Sequence, residues 1–139
     1  FKQILHELWS VHRLLGVEKV SESAHFALVQ RLSRVVKIMR LLVSQFEVLE
    51  TMTPMDFLSF RGHLKGASGF QSLQFRTIEA LLGVPCDTEK EERLESRFQR
   101  PDIEDLKRAQ QCPSLFKLVE RWLERTPGLG EEGEGQAKP

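Results

Sequence analysis

The sequence predicts an all-α fold, a helical bundle built around one long central helix. Apolar residues recur every three to four positions along most of the 139 residues, and this spacing is the period of an amphipathic helix. The alternation of apolar and polar residues that is typical of strands does not occur in the sequence. Prolines and glycines lie between the periodic stretches, where they mark the ends of helices.

Two helices are predicted in the first 51 residues. The first spans residues 1–15, ends at Gly16 and has one apolar face, made of Phe1, Ile4, Leu5, Leu8, Trp9 and Leu15. The second runs from about Ser21 to Thr51 without glycine or proline, so we expect one long helix that forms the spine of the bundle. Its periodic apolar residues are Phe26, Val29, Leu32, Val36, Met39, Val43, Phe46 and Leu49.

Helix-start signals predict the remaining elements. Thr53 supplies an N-cap, Pro54 the first helical position and Asp56 an acid in the first turn, so a third helix is expected to run to about Leu64. Further helices are predicted over residues 72–82, closed by Gly83, and over residues 101–110 and 113–125. The last of these carries its apolar residues inward, namely Leu115, Leu118, Val119 and Trp122.

Composition predicts one domain and a disordered tail. Residues 1–125 are expected to form a single helical domain, with a charge-dense surface excursion over residues 87–100. Residues 126–139 are rich in glycine and glutamate and are predicted to be disordered.

Charge balance bears on partners and location. Twenty basic and twenty acidic residues cancel, so the sequence predicts neither a nucleic-acid partner nor a membrane partner. The cations Arg31, Arg34, Lys37 and Arg40 are interpreted as a solvated helix face. No apolar run reaches the roughly 20 residues of a membrane-spanning helix. The two cysteines lack metal-binding spacing, and a cytoplasmic location is expected.

A candidate anion site lies around Arg61. Its guanidinium can hold a carboxylate through two parallel hydrogen bonds, and Gly66 and Gly69 allow the backbone to approach a ligand closely. A bound amino acid would fit such a pocket. Ser68 and Gln71, however, have the spacing of a capping box, so the same loop could simply begin the next helix while Arg61 remains solvated. Spacing alone leaves both interpretations open.

Several motifs in order along the chain resemble one family. The matching stretches are residues 1–5, 35–38, 41–43, 49–61, 67–76 and 118–129. Their mixture of polar and aromatic residues is much more specific than a lone glycine motif. In these stretches the chain resembles the heme-dependent tryptophan 2,3-dioxygenases.

The resemblance implies a heme dioxygenase-like helical fold and a specific reaction. Heme would be the cofactor, and both atoms of O₂ would be inserted across the indole C2=C3 bond of L-tryptophan to give N-formylkynurenine. It also implies a homo-oligomer, a tetramer in the family. By resemblance, Arg61 binds the substrate α-carboxylate, Phe57 packs beside the substrate, and Ser68 and Gly69 line the distal heme pocket near the substrate ammonium.

The chain also departs from the family pattern. In the family, a distal histidine precedes the match to residues 1–5 and the axial histidine follows the match to residues 126–128, so the chain is expected to be a central fragment or a truncated homologue. The segment between Val84 and Leu118 is shorter than the family's, Gly66 replaces a usual proline, and the pattern is left after Leu129.

The histidines of this chain do not predict an iron site. Their spacing resembles no metal motif, and a surface or helix-end role is expected for each of His6, His12, His25 and His63. An alternative hypothesis follows: a heme-free helical interaction protein that keeps the packing of the dioxygenase scaffold and self-associates.

Overall fold

The computed structural model describes residues 1–64, 72–85 and 100–126. Within these ranges six helices and no strands are present, which confirms the predicted all-α fold. The helices are α1 Lys2–Leu15, α2 Glu22–Glu50, α3 Pro54–Arg61, α4 Leu73–Leu82, α5 Arg100–Gln111 and α6 Leu115–Arg125. The predicted excursion over residues 87–100 and the predicted tail lie almost entirely outside the described residues, so both stay predictions, as does the division into domains.

Helix α1 is the centre of the packing. Its buried apolar residues recur at helical spacing, so one stripe faces the core: Ile4, Leu8, Val11 and Leu15. Helices α2, α4 and α6 all pack against α1, and α5 packs against α4. The sequence correctly predicted Ile4, Leu8 and Leu15 of this stripe and missed Val11. Of the other predicted residues, Leu5 and Trp9 are partly buried and Phe1 is exposed.

Two apolar clusters lie along α1. The first is formed by buried residues of α1, α2, α4 and α5: Ile4, Leu8, Val35, Ile78, Leu81 and Ala109. The second joins α1 to the start of α2 and to α6 through Val11, Leu15, Leu28 and Leu118. Leu115 packs against both clusters, so the two cores are continuous.

A buried carboxylate joins α1 to α2. Glu7 is only 1% exposed, and its two oxygens accept hydrogen bonds from Arg34 at 2.6 Å and from Arg31 at 2.7 Å. Gln3, one turn earlier on α1, donates a third at 2.7 Å. Burial alone would raise the pKa of Glu7, but the bonds from Arg34, Arg31 and Gln3 together hold it below its ordinary value. The carboxylate is therefore charged at neutral pH.

Polar contacts also fix the end of α6. Trp122 Nε1 donates to His25 Nε2 at 3.2 Å, which links α6 to the first turn of α2. The guanidinium of Arg125 donates to the carbonyls of Val17 at 2.9 Å and Leu15 at 3.2 Å. Since the last carbonyls of a helix have no partner within it, Arg125 satisfies the end of α1 from another helix.

The long helix α2 is only partly covered. Its buried residues are Leu28 and Val35, and Leu32, Ile38, Met39 and Leu42 pack against the two clusters. Beyond Leu42 the apolar side chains of α2 and α3 are exposed; we call residues 43–61 the arm. The predicted spine therefore packs along its first part alone. The predicted apolar face of α2 is wrong at Phe26, Val29, Val36, Val43, Phe46 and Leu49, which are exposed.

Helix boundaries agree with the predicted signals to within a few residues. Ser21 caps α2 by accepting from the backbone of Ala24, and Ser72 caps α4 in the same way. Helix α3 ends at Arg61 and not at about Leu64, because the chain continues as a turn after Gly62. Within the described ranges, none of the helices has the length and apolar character to cross a membrane.

We expect Gly83→Ala to destabilise the fold. Gly83 has φ +91°, and a Cβ there would lie 2.7 Å from Ser114 Oγ, the atom that caps α6. The left-handed conformation alone costs an alanine about 1–2 kcal/mol. Gly62→Ala is the matched control, since its φ is −62° and nothing lies within 4 Å of the added Cβ. It should be neutral or stabilise by about 0.4–1 kcal/mol. Urea unfolding measures the free energy of unfolding of both variants. Equal changes in the two would contradict a special requirement for glycine at position 83.

We expect Glu7→Gln to lower the free energy of unfolding by roughly 1–3 kcal/mol at neutral pH, the cost of weakening buried charge-assisted hydrogen bonds. Because the pKa of Glu7 is lower in the folded state, its contribution is complete above the unfolded value of about 4.3 and is lost as pH falls through the folded value. The free energies of unfolding of the parent and the variant should therefore converge as the pH falls below the ordinary glutamate range. If the difference in the free energy of unfolding between parent and variant stayed constant with pH, the effect would not come from the charge of Glu7.

Candidate functional site at the end of helix α3

The candidate site residues Phe57 and Arg61 lie on α3, whose start is strongly specified. Thr53 Oγ1 accepts from the backbone N–H of Asp56, and the carboxylate of Asp56 accepts from the backbone N–H of Thr53 at 3.1 Å. These reciprocal bonds form a capping box, and Pro54 occupies the first helical turn. The predicted start of α3 is confirmed, and the helix is fixed locally even though its side chains are exposed.

The carboxylate of Asp56 is stabilised in its charged form. The side-chain hydrogen bond from Thr53, 2.6 Å long, lowers the pKa of Asp56, and the backbone bond from the same residue adds to the effect. Asp56 also lies in the first turn, where the helix dipole favours a negative charge. Arg61 lies in the last turn, where the dipole favours a positive one. The charges at both ends of α3 therefore interact favourably with the helix dipole.

Phe57 and Arg61 are four positions apart on a continuous helix, so they share one face. The ring of Phe57 is 40% exposed and meets the ring of Phe60 edge to face, with centroids 5.4 Å apart. This pair forms a small aromatic surface beside the end of the helix. An aromatic surface and a guanidinium on one helix face can contact the ring and the carboxylate of one aromatic amino acid.

Arg61 is exposed, and the chain turns directly after it. The backbone N–H of His63 donates to the carbonyl of Phe60 at 2.8 Å, and that of Leu64 donates to the carbonyl of Arg61 at 3.1 Å. Residues 65–71 lie outside the described residues, and with them the predicted site residues Ser68 and Gly69 and the possible capping pair of Ser68 with Gln71. The structure thus places Phe57 and Arg61 on one face and leaves their relation to Ser68 and Gly69 a prediction.

The described residues do not offer an evident iron ligand. His12 is buried and its Nε2 lies 3.1 Å from the carbonyl of Leu81, and burial lowers its pKa despite that bond. His25 Nε2 accepts the indole N–H of Trp122, and His6 and His63 lie exposed at the surface. No group of three or more His, Cys, Asp or Glu side chains in the described ranges is placed to hold a metal ion. Two of the four histidines, His12 and His25, are therefore already held in contacts within the fold, and the other two are exposed.

Two cations of the supposed solvated face have a structural role that the sequence did not reveal. Arg31 and Arg34 bind Glu7, while Lys37 and Arg40 are exposed. A hint was present, because Glu7 lies among apolar residues of α1 and the two arginines are three positions apart on α2. The prediction of a solvated face is therefore wrong for the nitrogens of Arg31 and Arg34 that bind Glu7, although the side chain of Arg34 is 52% exposed.

An open apolar groove was also missed. It has a volume of about 490 Å³ and runs along α2 to the end of α4, lined by Val35, Val36, Met39, Arg40, Val43, Ser44, Glu47 and Leu82. The α2 residues recur at spacings of three and four, which is the sign of a second face that needs a covering element. A search of the α2 sequence for a second apolar face would have predicted this groove.

The structure describes a helical protein whose third helix, part of the exposed apolar arm, carries an arginine and a phenylalanine on one face. A family model described as Tryptophan 2,3-dioxygenase matches residues 1–137. The chain belongs to the tryptophan 2,3-dioxygenase family, as its motifs had indicated. The match extends past Leu129, so the departure predicted there is not supported.

Proposed function

We propose that this chain acts in the heme-dependent oxygenation of L-tryptophan, in which both atoms of O₂ are inserted across the indole C2=C3 bond to give N-formylkynurenine. The observation that carries the proposal is the pairing of Phe57 and Arg61 on one face of a firmly capped helix, in a chain of this family. Within the proposal, L-tryptophan and O₂ are the small-molecule partners, and the protein is a cytoplasmic homo-oligomer.

Arg61 would capture the substrate carboxylate. A guanidinium presents parallel N–H donors that match the two oxygens of a carboxylate, and such bonds are about twice as strong as neutral ones. The position of Arg61 at the C-terminal end of α3 leaves these donors accessible to a ligand. The substrate would thus be held by its α-carboxylate, which would orient the indole ring along the helix face.

Phe57 would hold the indole. Its ring lies one turn before Arg61, and Phe60 supports it edge to face. Contact between the indole and Phe57 would exclude water from one side of the reacting ring. Ser68 and Gly69 are proposed to meet the substrate ammonium and the distal side of the heme, as the family resemblance implies.

Heme would supply the oxygen chemistry in this family, and the contacts of His12 and His25 within the fold give no sign of an axial ligand. The proposal therefore assigns to this chain's own described residues only the capture and orientation of tryptophan.

We expect Arg61→Ala to weaken L-tryptophan binding strongly. A carboxylate enclosed in the complex would lose its bidentate partner, at a cost of roughly 2–5 kcal/mol. Tryptamine, which has the same indole and no carboxylate, should bind the parent and the variant equally. Calorimetric titration of the hemin-supplemented protein with each ligand measures the effect. Lys37→Ala, which removes an exposed cation of α2, is the matched control and should leave both affinities unchanged. Unchanged L-tryptophan affinity in Arg61→Ala would contradict the assignment.

A second candidate function is a heme-free helical protein that self-associates. The observation in its favour is the apolar surface of the arm, where eight large side chains are exposed: Val43, Phe46, Val48, Leu49, Met55, Phe57, Leu58 and Phe60. Large exposed apolar surfaces on soluble proteins often mark interaction sites. If each contributed on the order of 100 Å², the surface would reach the roughly 800 Å² per partner of a stable interface.

We expect Phe46→Glu to weaken self-association under this second function, because it places a charge in the middle of the arm. Gln30→Glu is the matched control, since it adds the same charge to an exposed position of α2 outside the arm. Sedimentation velocity over a range of concentrations measures the oligomeric state. A monomeric parent chain at all concentrations would rule out self-association as the function.

A further inference from the structure

The position of Arg61 relative to the core depends on how α2 lies on α1. Helix α2 packs extensively on α1 alone among the described helices, and α3 packs extensively on none of them. The last α2 residue that packs against the core clusters is Leu42. Residues 43–61, the arm, therefore project from a helix whose most extensive packing is its crossing with α1.

Glu7 is the point that fixes this crossing. Its Oε1 accepts from Arg34 at 2.6 Å and from Gln3 at 2.7 Å, and its Oε2 accepts from Arg31 at 2.7 Å. Apolar contacts tolerate sliding and repacking, whereas short charge-assisted bonds to both oxygens of one carboxylate specify direction. Because Glu7 is almost fully buried, a shifted α2 would leave a buried charge without partners.

A small change at the crossing is amplified along α2. The helix extends 16 residues beyond Arg34, which is roughly 24 Å at 1.5 Å per residue, so a tilt of about 5° would move its end by about 2 Å. A displacement of roughly 1 Å is already enough to impair an oriented binding site. The direction of α2 therefore matters for any ligand that Arg61 holds.

We propose that Glu7 is a positioning residue for Arg61, acting through Arg31, Arg34 and the rigid length of α2. The inference rests on the proposed role of Arg61 as the carboxylate clamp. Glu7 itself does not touch the substrate; it sets where the clamp is held relative to the packed core around α1.

The first test measures the direction of the arm without any ligand. Spin labels are attached at His6→Cys on α1 and Met55→Cys on α3, both exposed, in a chain whose Cys86 and Cys112 are replaced by serine. Pulsed electron resonance then gives the distribution of distances between the labels. Glu7→Gln should broaden or shift the distribution, Arg34→Gln should do so less because Arg31 still binds Glu7, and Lys37→Gln should not change it.

Circular dichroism confirms that each variant is folded. If Glu7→Gln does not fold, Arg34→Gln decides the question, because Arg34 is 52% exposed and its replacement leaves the core intact. A distribution that is the same in the parent and in every folded variant of this set overturns the proposal.

The second test separates this inference from the proposed function. In the unlabelled, hemin-supplemented protein, Glu7→Gln should weaken L-tryptophan severalfold and tryptamine less, because Arg61 and Phe57 both lie on the arm. The loss for L-tryptophan should be smaller in an Arg61→Ala background than in the parent. Independent, additive losses would overturn the positioning role. If the parent binds neither ligand, the proposed function fails, while the distance measurement still decides whether Glu7 directs the arm.

Discussion

The contact of Glu7 with Arg31 and Arg34 is the constraint on which the rest of the structure depends. A buried carboxylate without partners would be too costly to keep, so α1 and α2 can meet only where both arginines reach it. Every other packed helix is then placed by reference to α1, since α4 and α6 lie on α1 and α5 lies on α4. One polar contact thereby selects a single arrangement among the many that apolar packing would tolerate.

The same logic is repeated at the ends of the helices. The carbonyl of Leu81, near the end of α4, meets His12 of α1, and the carbonyls of Leu15 and Val17 receive the guanidinium of Arg125 from α6. The bonds to Leu81 and Leu15 satisfy carbonyls that a helix end leaves open, and the bond to Val17 holds the chain just after α1. Each bond connects parts of the chain that are distant in sequence. The packing of the helices around α1, which we call the hub, is therefore specified by polar contacts at the helix ends as well as by the apolar stripe of α1.

Local sequence signals correctly predicted most helix boundaries, but the sequence did not predict the contacts between helices that are distant along the chain. The start of α3 follows from Thr53, Pro54 and Asp56 alone, because a capping box involves only neighbouring residues. The partners of Glu7 are 24 and 27 positions away, and periodicity cannot reveal such a pair. The packed face of α2 was misjudged for the same reason: several apolar faces exist on this helix, and only the tertiary contact shows which of them α1 covers. At the candidate site, Phe57 and Arg61 could be placed from helical spacing, whereas Ser68 and Gly69 follow a glycine-containing turn that spacing does not define.

The contrast between the packed hub and the exposed arm bears directly on how Arg61 could work. An exposed guanidinium binds a free carboxylate weakly, because water competes for both partners and screens their attraction. Strong capture of an amino acid requires that the pair be enclosed, and enclosure requires a cover over the same surface that Phe46, Met55 and Leu58 now expose. Burial of the apolar arm and enclosure of Arg61 therefore require the same covering surface. Whatever covers the arm would at once remove its apolar side chains from water and give Arg61 the low dielectric in which it can hold its ligand, provided that Glu7 keeps α2 pointing toward that cover.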